Sequence, residues 1–336
     1  MKKKIAIVGG AGFIGHNLAL ALSSKGHEVS IIDSLGVNNL ITVLGNNNSS
    51  GTKKLDKVIL NERIDLINNK KIKFHILDAR DYHLLSRTLD SIAPQVIIHL
   101  AAVSHSNQSN KDPYNTFDHS LRTLENSLDN AKNRVEHFIY LSSSMVYGNF
   151  VAQEVNEETQ CNPIGIYGAL KFAGEKLVIA YNQVFNLPFT IVRPSALYGE
   201  RCISRRVGQV FMEKAFFNET LEIEEEGKSE LDFTYIEDFT SGVLKIIEKK
   251  ESLNQTFNIT YGEAKPVKTL IDILKKYFPK LKVVNKNKDK LMPKRGTLSV
   301  EKAKSIIGYA PKWSLEKGYE RYISWYKDLF DRNYSK

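Results

Sequence analysis

At 336 residues the chain has room for one large domain or two medium ones, and it can bury enough surface to fold without disulfide or metal staples. A composition of 42% hydrophobic and 25% charged residues excludes a disordered chain. Two cysteines, Cys161 and Cys202, exclude a disulfide framework or a Cys-rich metal site and favour a reducing, cytoplasmic compartment. The net charge of +9 is compatible with nucleic acid, a membrane surface or an anionic small substrate. Many lysines, however, run with asparagine, as in Lys282–Lys290, without interleaved aromatics or a nucleic-acid motif. The excess reads as solvated surface, and no nucleic-acid partner is expected.

The N-terminus, MKKKIAIVGG, mimics a signal peptide, but its apolar run breaks at Gly9–Gly10 and soon meets His16–Asn17. Ile5–Val8 is therefore read as a buried strand entering a glycine turn. Gly15–Lys25 follows as a helix with Leu18, Ala19 and Leu22 on one face. Further strands are predicted at Val29–Ile32, Phe74–Leu77, Val96–His99, Phe138–Ser142 and Phe189–Val192. Short apolar runs separated by helices predict a parallel sheet covered on both faces. The fold class that follows is α/β, a Rossmann-like doubly wound sheet with a smaller C-terminal α/β lobe. Ser34–Lys71 interrupts the rhythm with a polar loop, Gly45–Gly51, and a predicted helix, Lys53–Asn68. After Arg193 the pattern is mixed, with helices predicted at Arg206–Phe217 and Val267–Tyr277. No apolar stretch reaches the roughly 20 residues of a membrane span.

Gly9-Gly10-Ala11-Gly12-Phe13-Ile14-Gly15 lies between a strand and a helix. Glycines there let the backbone turn tightly and approach a diphosphate, which the free N–H groups of the helix N-terminus attract. Gly9, Gly12, Phe13, Ile14 and Gly15 are thus candidate dinucleotide-binding residues. Asp33 ends the second strand, where a carboxylate can accept both hydroxyls of an adenosine ribose and would repel a 2′-phosphate, which favours NAD over NADP. Asp78, with Ala79 beside it after the third strand, is a candidate for the adenine amino group.

Tyr167 and Lys171 form YxxxK in a predicted helix, on one face. An ammonium near the phenol favours phenolate and makes the tyrosine a usable base. Tyr261–Lys265 has the same spacing, but Gly262 and Pro266 argue against a helix there. Ser142-Ser143-Ser144 follows the fifth strand, at the strand ends where α/β sheets bind ligands.

These strings occur in a recognisable order. The glycine turn, HLAA (His99–Ala102), SSSMVYG (Ser142–Gly148), YGALK (Tyr167–Lys171) and RPSALYG (Arg193–Gly199) resemble the extended short-chain dehydrogenases/reductases, in the nucleotide-sugar epimerase/dehydratase branch. LDFTYIED (Leu231–Asp238) and the segment Arg295–Gly318 resemble that family's C-terminal elements, so the resemblance spans nearly the whole chain. It implies an NAD-dependent enzyme acting on a nucleotide-diphosphate sugar. Tyr167 would be the base, Lys171 would hold the nicotinamide ribose and tune Tyr167, and Ser143 would hydrogen-bond the sugar 4-hydroxyl. Leu100, Ala101 and Ala102 would line the cofactor groove, with Pro194 near the nicotinamide. Ser104, Ser143 and Ser144 would face the sugar, and Arg201 and Arg295 the diphosphate.

The reaction within the family follows from what the resemblance lacks. The 4,6-dehydratases carry an Asp-Glu pair where this chain has Ser144-Met145, and the decarboxylases a Glu at the second position. The GDP-fucose synthases and GDP-mannose 3,5-epimerases place a reactive Cys there, a role Met145 does not fill. A 4-epimerase needs no added acid or base, so 4-epimerisation through a transient 4-keto sugar is expected. Ala101–Ser106 (AAVSHS) points the other way, being similar to the dehydratases' AAESHV segment. A 4,6-dehydratase or a 4-ketoreductase is the alternative enzyme, and a non-catalytic NAD-binding regulatory protein the alternative class. Three positions depart from the family: Ala196 and Leu231 replace an Asn and an Arg that help hold the nucleotide-sugar, and Ser120–Leu124 replaces an Asn-Val-x-Gly-Thr helix. Residues 1–192, completed by about 232–262, are expected to form the NAD lobe, and 193–231 with 263–330 the sugar lobe. A homodimer is expected through helices around Asn115–Asn130 and Tyr167–Asn182.

Overall fold

A computed structural model describes residues 2–45, 51–104, 106–287 and 291–334. The polar loop at 46–50, the end of the lysine–asparagine run at 288–290, and His105 of the AAVSHS segment lie outside the described residues. Seven parallel strands form the central sheet: β1 (Lys4–Val8), β2 (Glu28–Asp33), β3 (Lys73–Ile76), β4 (Val96–His99), β5 (His137–Leu141), β6 (Phe189–Arg193) and β7 (Gln255–Asn258). Their order is β7-β6-β5-β4-β1-β2-β3, a doubly wound Rossmann-like sheet. β4, β5 and β6 are buried at every position, which is why they read as unbroken apolar runs.

The register sets up the site. Val8 pairs with Ile32 on one side and His99 on the other. Gly9, Asp33 and Leu100 therefore emerge side by side where the strand order reverses. Leu141 pairs with Val192, which brings the Ser142–Ser144 turn and Pro194 to the same edge.

Helix α1 (Phe13–Ser24) packs Leu18, Ala19 and Leu22 beneath the sheet. The predicted insertion forms α2 (Gly51–Asn69), whose Leu55, Ile59, Leu60 and Ile67 are buried. Asp56 and Arg63 lie buried in the same stripe. Next come α3 (Gly165–Phe185), carrying Tyr167 and Lys171, and α4 (Val207–Phe216). A 20-residue helix, Leu315–Tyr334, buries Tyr319, Tyr322 and Tyr326. One continuous apolar cluster runs from Ile5 and Leu18 through Tyr198 and Phe211 to Tyr326, so the sheet and the C-terminal segments share a core.

Some predicted elements are reshaped. The Asn115–Asn130 helix is three pieces, Pro113–Phe117, a π-helical turn at Asp118–Arg122 and Thr123–Ala131. The π turn overlaps the Ser120–Leu124 stretch that departs from the family pattern. A short helix, Leu40–Gly45, precedes the insertion helix. Among the described residues no helix is long and apolar enough to cross a membrane.

Candidate active site

A cavity of about 900 Å3 opens along the carboxyl edge of the sheet. One end is the glycine turn. Gly9 has φ +81°, and a Cβ there would lie 2.6 Å from the Ala101 nitrogen, so both backbone and packing require glycine. Gly15 lies against the Gly10 backbone, where a Cβ would come within 2.5 Å of its Cα. Gly12 differs. Its φ of −70° suits any residue, and a Cβ would meet only the Gly9 oxygen, at 3.5 Å. Protein packing does not demand glycine at this position. The missing side chain leaves a cradle over the N-terminus of α1, the chemistry a diphosphate requires.

Gly9, Gly12, Phe13, Ile14 and Gly15 all line the cavity. So does Asp33, whose carboxylate accepts from Ala11 N at 2.9 Å and Leu35 N at 2.8 Å. Burial pushes its pKa up, against these two N–H groups and the charge of Arg63. Each oxygen keeps a lone pair for a ribose hydroxyl. Asp78 and Ala79 line the adenosine end, but Arg80 clasps the Asp78 carboxylate through both its backbone N–H and its guanidinium. Leu100, Ala101 and Ala102 form the floor between the two halves.

At the other end the three serines separate by role. Ser142 turns inward and donates to Glu175 Oε1. Ser143 Oγ accepts from Met145 N at 3.2 Å, capping the short turn Ser144–Tyr147, and its side chain still borders the cavity. Ser144 borders it too, with its backbone N–H donating to the Pro194 carbonyl. Tyr167 and Lys171 reach the cavity from successive turns of α3, with Ser104 and Pro194 on its walls. Lys171 Nζ donates to the Leu141 carbonyl at 2.7 Å. Burial, then the charge of Arg206, lowers the Lys171 pKa to about 7, with Glu175 pulling it back up.

The sugar end is cationic. Arg295 and Arg206 both line the cavity, and neither has an ion-pair partner among the described residues. Burial and the neighbouring Arg206 bring the Arg295 pKa down to about 10. Arg205 also lines the cavity but is committed to Asp56 at 2.8 Å and to Glu213. The expectation for Arg201 is corrected. It has a left-handed backbone (φ +64°), pairs with Glu62 at 3.0 Å and stacks on Trp325, and is not part of the cavity wall. The charge that turns it away is Glu62, on the inserted helix.

Sequence reasoning missed two buried groups. Glu175 lies one turn beyond Lys171 on α3 and holds Arg193 through two hydrogen bonds of 2.9 and 2.7 Å. The i+4 spacing from Lys171 was the available signal. Arg63 lines the cavity beside the glycine turn, and its signal was a charge at an apolar position of a helix.

A family model described as the NAD dependent epimerase/dehydratase family matches residues 5–260. A putative UDP-glucose 4-epimerase of Methanocaldococcus jannaschii is 28% identical, over 96% of this chain and 98% of its own. A dTDP-D-glucose 4,6-dehydratase of Dictyostelium discoideum is 30% identical over 76% of this chain and 58% of its own. Among solved structures, a UDP-glucuronic acid 4-epimerase from Bacillus cereus, in complex with UDP-glucuronic acid and NAD, superposes with a TM-score of 0.85. It is 26% identical, over 98% of this chain and 100% of its own. With its Rossmann-like sheet, glycine turn and shared cavity, the chain belongs to the NAD dependent epimerase/dehydratase family, an enzyme family whose cofactor is NAD.

Proposed function

We propose that the protein is an NAD-dependent nucleotide-sugar 4-epimerase. The observation that carries this reading is a Ser143–Tyr167–Lys171 set bordering one cavity, with Ser144 and Met145 beside it in place of an added acid, base or thiol. Tyr167 takes the proton from the sugar 4-hydroxyl, and Ser143 holds that hydroxyl. Lys171, anchored on the Leu141 carbonyl, grips the nicotinamide ribose. NAD bound along the glycine turn and Asp33 would accept a hydride from carbon 4 and return it. The residues need only let the 4-keto sugar rotate and then reprotonate its oxygen from Tyr167, and the reaction ends with no net oxidation. Arg206 and Arg295 supply the positive charge for the substrate diphosphate, and Ser104 and Ser144 border the sugar.

The test is incubation of the purified enzyme with UDP-, GDP-, CDP- and dTDP-sugars, followed by NMR and mass spectrometry. Inversion at carbon 4 without mass change is expected, and the relatives' names make UDP-sugars the first to try. A product lighter by one water would establish the 4,6-dehydratase instead, a reading favoured by Ser104 and the AAVSHS segment around it. Stoichiometric consumption of reduced cofactor would establish a ketoreductase.

The same reading assigns residues 1–192, completed by about 232–262, to the NAD lobe, and 193–231 with 263–330 to the sugar lobe. It places the protein in the cytoplasm, in keeping with its free Cys161 and Cys202, and makes it a homodimer. Tyr114 and Phe117 support a partner surface, being 82% and 49% exposed on the Pro113–Phe117 helix.

A further inference from the structure

Arg63 sits in the apolar stripe of α2, between Ile59 and Ile67, and is only 1% exposed. Nε donates to the Arg201 carbonyl at 3.0 Å, Nη2 to the same oxygen, and Nη1 to the Ala11 carbonyl at 3.4 Å. These partners are neutral, and no carboxylate lies within ion-pair distance of Arg63 among the described residues. Asp33 and Asp56 favour the Arg63 charge only through space, and neither bonds it: Asp33 accepts from two backbone N–H groups and Asp56 from Arg205. Withdrawing a cation from water without a directly bonded counter-charge costs several kcal/mol. Such a residue persists where something pairs with it.

The cavity wall that Arg63 lines adjoins the Gly9–Gly12 turn. The turn contains no lysine or arginine. Burial, with Arg63 and Arg201, holds the pKa of His16 well below its ordinary value, so His16 adds no charge there. Arg201 is neutralised by Glu62. Three of the five guanidinium N–H donors of Arg63 are committed, which leaves two.

We propose that Arg63, delivered by the α2 insertion, is the counter-charge for the diphosphate of the cofactor. It grips the glycine turn through the Ala11 carbonyl and adds a formal positive charge to the partial charge of the α1 N-terminus. The inference does not depend on which reaction the enzyme performs.

The experiment compares wild type, Arg63→Met and Arg63→Lys, freed of bound nucleotide, by calorimetric titration with NAD, ADP-ribose and adenosine. Adenosine reports the fold of the site without a diphosphate. Arg63→Met is expected to weaken NAD and ADP-ribose by about 10- to 100-fold, the worth of one charge-assisted hydrogen bond. Adenosine affinity stays within about twofold, and Arg63→Lys recovers most of the loss. Equal weakening of adenosine and NAD would reduce Arg63 to a clamp on the turn and overturn the proposal, as would unchanged NAD affinity. Methionine suits the apolar stripe. If that variant still fails to fold, Arg63→Gln with the same NAD-to-adenosine ratio decides, a ratio within twofold of wild type overturning the proposal.

Discussion

Lys171 is a buried amine that holds its proton weakly. With burial and Arg206 setting its pKa at about 7 in the fold, and an unfolded lysine titrating near its ordinary 10.5, the unfolded chain binds more protons between those values. Stability of the ligand-free enzyme therefore rises with pH from about 7 toward 10, and below 7 this contribution is flat at its least favourable. Lys171→Met is expected to stabilise the ligand-free protein by on the order of 1–3 kcal/mol at pH 7, less at pH 9 to 10, while abolishing turnover. Urea midpoints across pH 6–10 check this, and a gain that does not shrink with pH would assign the effect to packing. Tyr167→Phe is expected to lower turnover by roughly 10²- to 10⁴-fold while NAD stays bound. Gly12→Ala should fold with a near-native melting temperature yet bind NAD poorly, whereas Gly9→Ala should be strongly destabilised, because Gly9, unlike Gly12, combines a left-handed backbone with a Cβ position 2.6 Å from its neighbour. That Ser143, Tyr167 and Lys171 border one cavity was legible because they sit in short contiguous strings. Arg63 was not, because its neighbours Ala11 and Arg201 are far away in sequence.

At the scale of elements, α3 and β6 are joined by a buried ion pair. Arg193 and Glu175 are 7% and 3% exposed in their side chains and meet at 2.7 Å. Arg193 also donates to the Tyr147 hydroxyl, which donates to Asn258 at the end of β7. Glu175→Ala strands a buried guanidinium and is expected to cost about 3–5 kcal/mol. Adding Arg193→Met should recover much of that loss in chemical denaturation, and failure to recover would show that the rest of the network carries the energy. β1, β2 and β4 to β6 were legible as apolar runs because strands buried on both faces have no polar side; β3, an edge strand with no fully buried position, was read from Phe74 and Ile76. β7, Gln-Thr-Phe-Asn, was not read as a strand, since it is an edge strand with two half-buried polar positions. The tyrosine-rich Leu315–Tyr334 helix was likewise not anticipated; the Tyr319 and Tyr326 hydroxyls find their partners, the Gly208 carbonyl and Glu213, only in the folded chain.

For the whole molecule, light scattering at micromolar concentration is expected to give twice the 38.1 kDa chain mass. Tyr114→Glu should shift that mass toward one chain if the Pro113–Phe117 surface lies in the dimer contact, and an unchanged dimer would place the contact elsewhere. The change of pattern near Arg193 could be read from the sequence, but the single apolar cluster that runs across it could not, because it is made by side chains more than 100 residues apart. That cluster bears on the proposed chemistry. Segments that share a core resist moving as separate bodies, so under the proposed epimerisation the room a keto-sugar needs to turn over would be free volume already present in the cavity, with no lobe closing over it.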